Sequence, residues 1–201
     1  LDLSSNQLSG EISGGISGLT QLVRLDLSNN RLTGDPSLTL SSLSQLEELS
    51  LGNNFFAASD VNSFLQNFTH IKVLDLAHFG LNAVPQRISS FAGLQSLNLS
   101  NNALSQNFGV FSSLKNLEQL DLSGNQLTEI PATLSSLSQL KILNLSNNLF
   151  ANSYAAPLSG MRSLEWLSLE NNFIETFPAE MLQLPKLVHI NFGRNKISGG
   201  T

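Results

Sequence analysis

The stretch Leu117–Leu127 reads LEQLDLSGNQL and follows the template LxxLxLxxNxL. The same template, with leucine-like residues at its apolar positions, returns at Leu22–Leu32, Leu46–Phe56, Ile71–Leu81 and Leu94–Leu104. It continues through Leu140–Phe150, Leu164–Ile174 and Leu187–Ile197, and a truncated copy opens the chain at Leu1, Leu3, Asn6 and Leu8. The residue that opens each LxL triplet falls at Leu1, Leu25, Leu49, Leu74, Leu97, Leu120, Leu143, Leu167 and Ile190, so the nine copies lie 23–25 residues apart. A unit this short cannot bury its apolar face alone, and units at a fixed period stack so that neighbours share one core.

The repeats run without a composition shift or linker across all 201 residues. That predicts one quasi-linear domain over 1–201. Hydrophobic residues make up 41% of the chain, enough for a continuous core, while charged residues make up only 12%. The net charge of −5, with no run of Lys and Arg, argues against a nucleic-acid or acidic-membrane partner. With no cysteine, disulfides, thiol chemistry and thiolate metal sites are excluded. No apolar run approaches the length of a membrane span, so no direct membrane contact is expected from this stretch.

Within each copy, alternation of apolar and other residues predicts a strand with one buried face. Strands of one phase joined by long connections pair in parallel. The Asn after each strand, at Asn6, Asn30, Asn54, Asn102, Asn125, Asn148, Asn172 and Asn195, has the donors and acceptor to bond turning backbone. Phe79 takes that slot in one copy, where an interruption and ring packing are expected.

The return half carries apolar pairs at i, i+3: Ile16/Leu19, Leu40/Leu43, Leu65/Phe68, Ile88/Phe91, Phe111/Leu114, Leu134/Leu137, Leu158/Met161 and Met181/Leu184. This spacing predicts a short helix or 3₁₀ turn. Phe64, Phe68, Phe91, Phe108 and Phe111 predict a phenylalanine-rich core in the middle repeats. Pro36, Pro85, Pro131 and Pro178 stand where each turn would open. AVP, EIP and TFP alternate with copies lacking that proline, which reads either as two convex designs used in turn or as drift.

These motifs resemble the leucine-rich repeat family over the whole chain. The resemblance implies an α/β fold: a right-handed horseshoe with a concave parallel β-sheet, convex short helical or 3₁₀ turns and an asparagine ladder. The first copy, NQLSGEISGGISGL, is similar to the plant-type repeat of receptor-like proteins, with Ser13 where proline would stand. Neither end shows a polar capping repeat or a cysteine cluster, so flanking caps or domains are expected beyond this stretch.

The residues between the leucines form columns on the open face. The column within LxL reads Asp2, Asp26, Ser50, Asp75, Asn98, Asp121, Asn144, Ser168 and Asn191. Only Asp2 and Asp26 are carboxylates on neighbouring rungs, so a structural role is expected rather than a metal site. The column before LxL reads Arg24, Glu48, Val73, Ser96, Gln119, Ile142, Trp166 and His189 and varies most in character. Trp166, the only tryptophan, stands between Ile142 and His189, with Glu170 and Arg194 near by. Aromatics with charged neighbours are common in binding hot spots. Trp166, Ile142, His189, Glu170, Arg194, Val73, Glu48 and Arg24 are therefore the candidate partner-binding residues.

His70, His78 and His189 fall in different repeats, and no nucleophile motif, P-loop or dinucleotide motif occurs. No catalytic residue, metal or cofactor is expected. Of the triplets at Asn67, Asn98 and Asn144, Asn67 on the return side is the better candidate for glycosylation in a secreted protein. The sequence therefore predicts a protein–protein interaction module that takes a protein or peptide on its concave face, as in a receptor-like ectodomain. An extracellular or cell-surface setting is favoured over the cytoplasm. The alternatives are a regulatory or substrate-binding arm of an enzyme, such as a receptor-like kinase, whose catalytic domain lies elsewhere, or a structural spacer.

Overall fold

The computed structural model describes residues 1–57, 60–151, 156–178, 181 and 183–199. Its main feature is an eight-stranded parallel sheet: β2 (Arg24–Asp26), β4 (Glu48–Ser50), β5 (Val73–Asp75), β6 (Ser96–Asn98), β7 (Gln119–Asp121), β8 (Ile142–Asn144), β9 (Trp166–Ser168) and β10 (His189–Asn191), stacked in chain order. The truncated first copy joins through a bridge from Asp2 to Asp26. Pairing follows the repeat phase throughout: Leu25 faces Leu49, then Leu74, Leu97, Leu120, Leu143, Leu167 and Ile190.

The strands of this sheet are three residues long, much shorter than the repeat template that contains them. The cause is a left-handed residue just after each one. Ser5, Asn29, Asn53, His78, Asn101, Gly124, Asn147, Asn171 and Arg194 all have φ between +53° and +64°. Few side chains other than Asn tolerate that conformation, which explains the Asn-Asn doublets. The first Asn makes the turn and the second enters the core.

The second Asn forms the ladder. Asn54 Nδ2 donates to the Leu51 carbonyl at 3.1 Å and, one repeat back, to the Leu27 carbonyl at 2.9 Å; its Oδ1 accepts from the Leu32 N–H at 3.0 Å. The arrangement recurs at Asn30, Asn102, Asn125, Asn148, Asn172 and Asn195. At Phe79 the amide is replaced by a buried ring that packs on Phe56, with centroids 6.0 Å apart. The ladder resumes at once, because Asn102 Oδ1 accepts from both Phe79 N–H and Leu81 N–H, at 3.0 and 2.9 Å.

The return half closes the core. Two short α-helices, α1 (Ser37–Leu40) and α2 (Val61–Leu65), and 3₁₀ turns at Gly14–Gly18, Gln86–Ser90, Phe108–Ser113, Ala132–Ser136 and Ala156–Gly160 lie opposite the sheet. In every predicted i, i+3 pair the second residue's N–H donates to the first residue's carbonyl, as from Phe91 to Ile88 at 3.0 Å and Met161 to Leu158 at 2.9 Å. Pro36, Pro85 and Pro131 cap their helices, each with φ near the value its ring imposes. Asp60 caps α2 by accepting from Asn62 N–H and Ser63 N–H. Phe64, Phe68, Phe91 and Phe111 are fully buried, Phe64 and Phe68 edge-to-face at 5.2 Å. Phe108 is half-buried and stacks on Phe111 at 6.2 Å.

One element was not foreseen. β1 (Ser9–Gly10) pairs in parallel with β3 (Arg31–Leu32), a two-stranded sheet just beyond the asparagine turn of the first two copies.

Candidate functional site on the open sheet face

Strand registration brings the variable residues into line. Arg24 pairs with Glu48, Glu48 with Val73, Val73 with Ser96, then Gln119, Ile142, Trp166 and His189. In a sheet these rungs lie about 4.8 Å apart. The alternation that buries the leucines of LxL turns this column away from the core, onto the face opposite the helices.

Trp166 is half-buried and Ile142 is 39% exposed. Both line a hollow of about 330 Å³, together with Ser96 and Gln119 of the same column and Asn98, Asp121 and Asn144 of the column within LxL. A second hollow of about 330 Å³ lies at the amino-terminal end, over Asp2, Arg24, Asp26, Glu48 and Ser50. The predicted residues are therefore divided. Trp166 and Ile142 share the first hollow, Arg24 and Glu48 share the second, and Val73 lies between them. His189 extends the column on the last rung and is exposed.

The charged candidates are paired with one another. Arg24 Nε lies 3.1 Å from Glu48 Oε1, and Arg194 Nε lies 3.6 Å from Glu170 Oε1. Glu170 also accepts from Asn191 Nδ2 at 3.0 Å. Arg194 occupies the left-handed turn of its repeat, so its backbone is part of the scaffold. The residue before each strand adds two further pairs: Lys72–Glu47 and Lys141–Glu118, each 2.8 Å. The Lys72 hydrogen bond holds the Glu47 carboxyl below its ordinary range, and Glu118 pushes the Lys141 ammonium up. Such exposed pairs add little stability, being screened by solvent, and chiefly fix side-chain positions.

The column within LxL does structural work. Asp26 Oδ1 accepts from Ser28 N–H and Oγ–H, and Asp121 Oδ1 does the same with Ser123. Asn98 and Asn144 make the same turn with Ser100 and Ser146. Asp75 differs. Ala77 stands where the serine would be, so among the described residues Asp75 receives only the Ala77 N–H, and its carboxylate leans over Gly52, where a Cβ would come within 2.6 Å of Oδ1. Burial pushes the Asp75 carboxyl up, helped by Asp26 and Asp121 two rungs to either side. Among the described residues no group of three or more His, Cys, Asp or Glu is disposed to hold a metal.

Ser96, Gln119 and Asp121 line the hollow but were not picked out in advance. The signal available was the registration of Ser96 and Gln119 with Ile142 and Trp166, and of Asp121 with Asn144 in the next column. Asn67 is half-buried on the return side, and its Nδ2 donates to the Phe64 carbonyl at 3.1 Å. Asn98 and Asn144, of the other two triplets, face into the hollow. Among the described residues no helix is long and apolar enough to cross a membrane.

A stack of parallel three-residue strands with an inner asparagine ladder and short helical returns defines a solenoid whose open face is a ready-made interaction surface. The chain belongs to the leucine-rich repeat family: one model described as leucine rich repeat matches residues 107–150, and a second matches residues 1–19, 21–43 and 93–114. No curated protein matches it. Among solved structures it is similar to a leucine-rich repeat protein of Leptospira interrogans, with TM-score 0.81 and 30% identity over 98% of this chain and 49% of that one. It is also similar to the ectodomain of the Arabidopsis receptor kinase HAESA in complex with an IDA peptide hormone, with TM-score 0.80 and 27% identity over 97% of this chain and 34% of that one. An internalin of Listeria monocytogenes matches with TM-score 0.76 and 25% identity over 98% of this chain and 61% of that one. The chain thus spans about half the length of the Leptospira protein and a third of the receptor ectodomain.

Proposed function

We propose that this chain recognises a protein or peptide on the open face of its sheet, centred on the hollow beside Ile142 and Trp166. The observation that supports it is the half-buried Trp166 beside a partly exposed Ile142 on a rigid sheet. Large, rigid aromatic area costs little ordering on binding, and a preformed sheet adds no further cost. Strand alternation puts the core leucines on the opposite face from this column, so the column can vary to suit a ligand.

The likeness to a receptor ectodomain that holds a peptide hormone, and to an internalin, supports a receptor-like role outside the cell or at its surface. We read the chain itself as a binding element without catalytic residues. A place as the ligand-reading arm of a receptor kinase is the second reading, carried by the same likeness.

Photo-crosslinking tests the proposal. A photoreactive amino acid at position 142 should give covalent adducts when the protein is displayed to its native extracellular milieu, and the same group at Lys115 on the return side should not. Equal adducts from both positions, or adducts from 115 alone, would place recognition elsewhere.

A further inference from the structure

Along the eight-stranded sheet, its strands, the residues just before them and the left-handed turns after them carry four Lys and Arg residues, Arg24, Lys72, Lys141 and Arg194, and each is already held by a glutamate: Glu48, Glu47, Glu118 and Glu170. The carboxylates of Asp26, Asp75, Asp121 and Glu165 share the same surface, and among the described residues no Lys or Arg forms an ion pair with any of them. Among the described residues, that sheet therefore has negative charge to offer a ligand and no Lys or Arg outside an ion pair; Arg31 stands apart, on β3 past the asparagine turn.

The placement of two of these carboxylates matters. Asp75 and Asp121 face the same way from rungs separated by one strand, β6, with Asn98 between them. That sets them about 10 Å apart. Asp121 is fixed, since Ser123 donates twice to Oδ1 and Asn144 Nδ2 donates to Oδ2 at 2.9 Å. Asp75 is half-buried with a single donor among the described residues, and a cation arriving beside it would offset both the cost of burying its charge and its repulsion from Asp26 and Asp121. Toward the carboxyl-terminal side the surface turns apolar at Ile142 and Trp166.

Resting on the concave-face reading above, we infer that the ligand is a cationic peptide: an extended segment that sets a Lys or Arg side chain over Asn98, between Asp75 and Asp121, and an apolar side chain against Ile142 and Trp166. From Asn98 to the Ile142–Trp166 rungs is two to three strand spacings, about 10–14 Å, which an extended chain crosses in three to four residues. The recognised pattern is thus a basic residue followed or preceded, at that interval, by an aromatic or large aliphatic one. An acidic ligand would meet Asp75 and Asp121 unscreened, and like-charge contact of this kind selects against wrong partners.

A random linear peptide library displayed on phage and selected on this protein tests the inference, with calorimetry on the enriched peptides. Enrichment of Lys or Arg three to four positions from an aromatic or aliphatic residue is expected. Affinity for those peptides should fall about tenfold in Asp121→Asn, fall similarly in Trp166→Ala, and weaken with added salt. Asp121→Asn keeps the local turn, since Asn98 and Asn144 make it already, and circular dichroism checks that it does. Neutral or acidic peptides whose binding is lost in Trp166→Ala but unchanged in Asp121→Asn would overturn the cationic assignment and leave the concave reading standing. No enrichment, or binding unchanged by either substitution, would overturn both.

Discussion

The buried N–H of Leu127 donates to Asn148 Oδ1 at 3.0 Å, across the boundary between two repeats. The same amide donates to Leu122 and Leu145 carbonyls at 3.0 and 3.1 Å, so one side chain satisfies backbone of two rungs that water does not reach. Asn148→Ala should lower unfolding free energy by about 1–3 kcal/mol for the orphaned Leu127 N–H alone. Urea denaturation followed by circular dichroism measures this. A change no larger than that of a surface substitution would mean the ladder is not stabilising.

Phe79 gives the converse experiment. The ring fills the space of the missing amide against Phe56, and Phe79→Ala should cost about 3–5 kcal/mol through the cavity it leaves. Phe79→Asn loses the same ring but can restore a rung, with its amide reaching backbone in the manner of Asn54. It should be less damaging than Phe79→Ala by about 1–3 kcal/mol. Equal unfolding midpoints for the two variants would show that the fourth repeat has no place for the amide.

His78 holds the left-handed position of its repeat at φ 54°, where five other repeats have Asn. A left-handed backbone costs most side chains about 1–2 kcal/mol, and Asn less. Neighbouring turn asparagines also bond across rungs, Asn53 to Asn29 at 3.1 Å and Asn171 to Asn147 at 2.7 Å. His78→Asn should therefore raise stability by about 1 kcal/mol. Thermal unfolding would show a higher midpoint, and a lower one would contradict this account of the doublets.

Asp75 makes stability depend on pH in a stated direction. Burial raises its folded pKa above the ordinary 3.8, so as pH climbs past that value the unfolded chain loses the proton first. Stability is then lost through the window between 3.8 and the raised folded value, and the loss persists above it. Asp75→Asn keeps the acceptor for Ala77 N–H without the charge, so it should be more stable than the native chain at neutral pH. The advantage should shrink as pH falls through that window. An advantage independent of pH would assign the effect to something other than ionisation.

Much of this architecture was legible in advance because repetition averages over local ambiguity. A single LDLS could be many things; nine in phase set the register of Leu25 on Leu49 and of every later pair. The i, i+3 pairs and the prolines likewise named their turns, since an apolar residue every third position has one short-range geometry that buries it. What escaped was set by tertiary contact or by single backbone angles. The strand stops at Asp26 because the chain turns left-handed at Asn29, and nothing in an alternating pattern states where alternation stops. Phe79 could be seen to break the ladder, but not that Asn102 would serve two N–H groups and repair it. On the open face, registration delivered Trp166 beside Ile142, while the pairing of Arg24 with Glu48 and of Arg194 with Glu170 depended on rotamers that no column of letters contains.

The single tryptophan allows the most direct measurement of where the ligand sits. Peptides or partner segments shown by calorimetry to bind should shift and saturate Trp166 emission at the same stoichiometry, and Trp166→Ala should weaken them about tenfold. Saturable binding that leaves both the emission and the affinity of that variant unchanged would contradict recognition at the Ile142–Trp166 hollow.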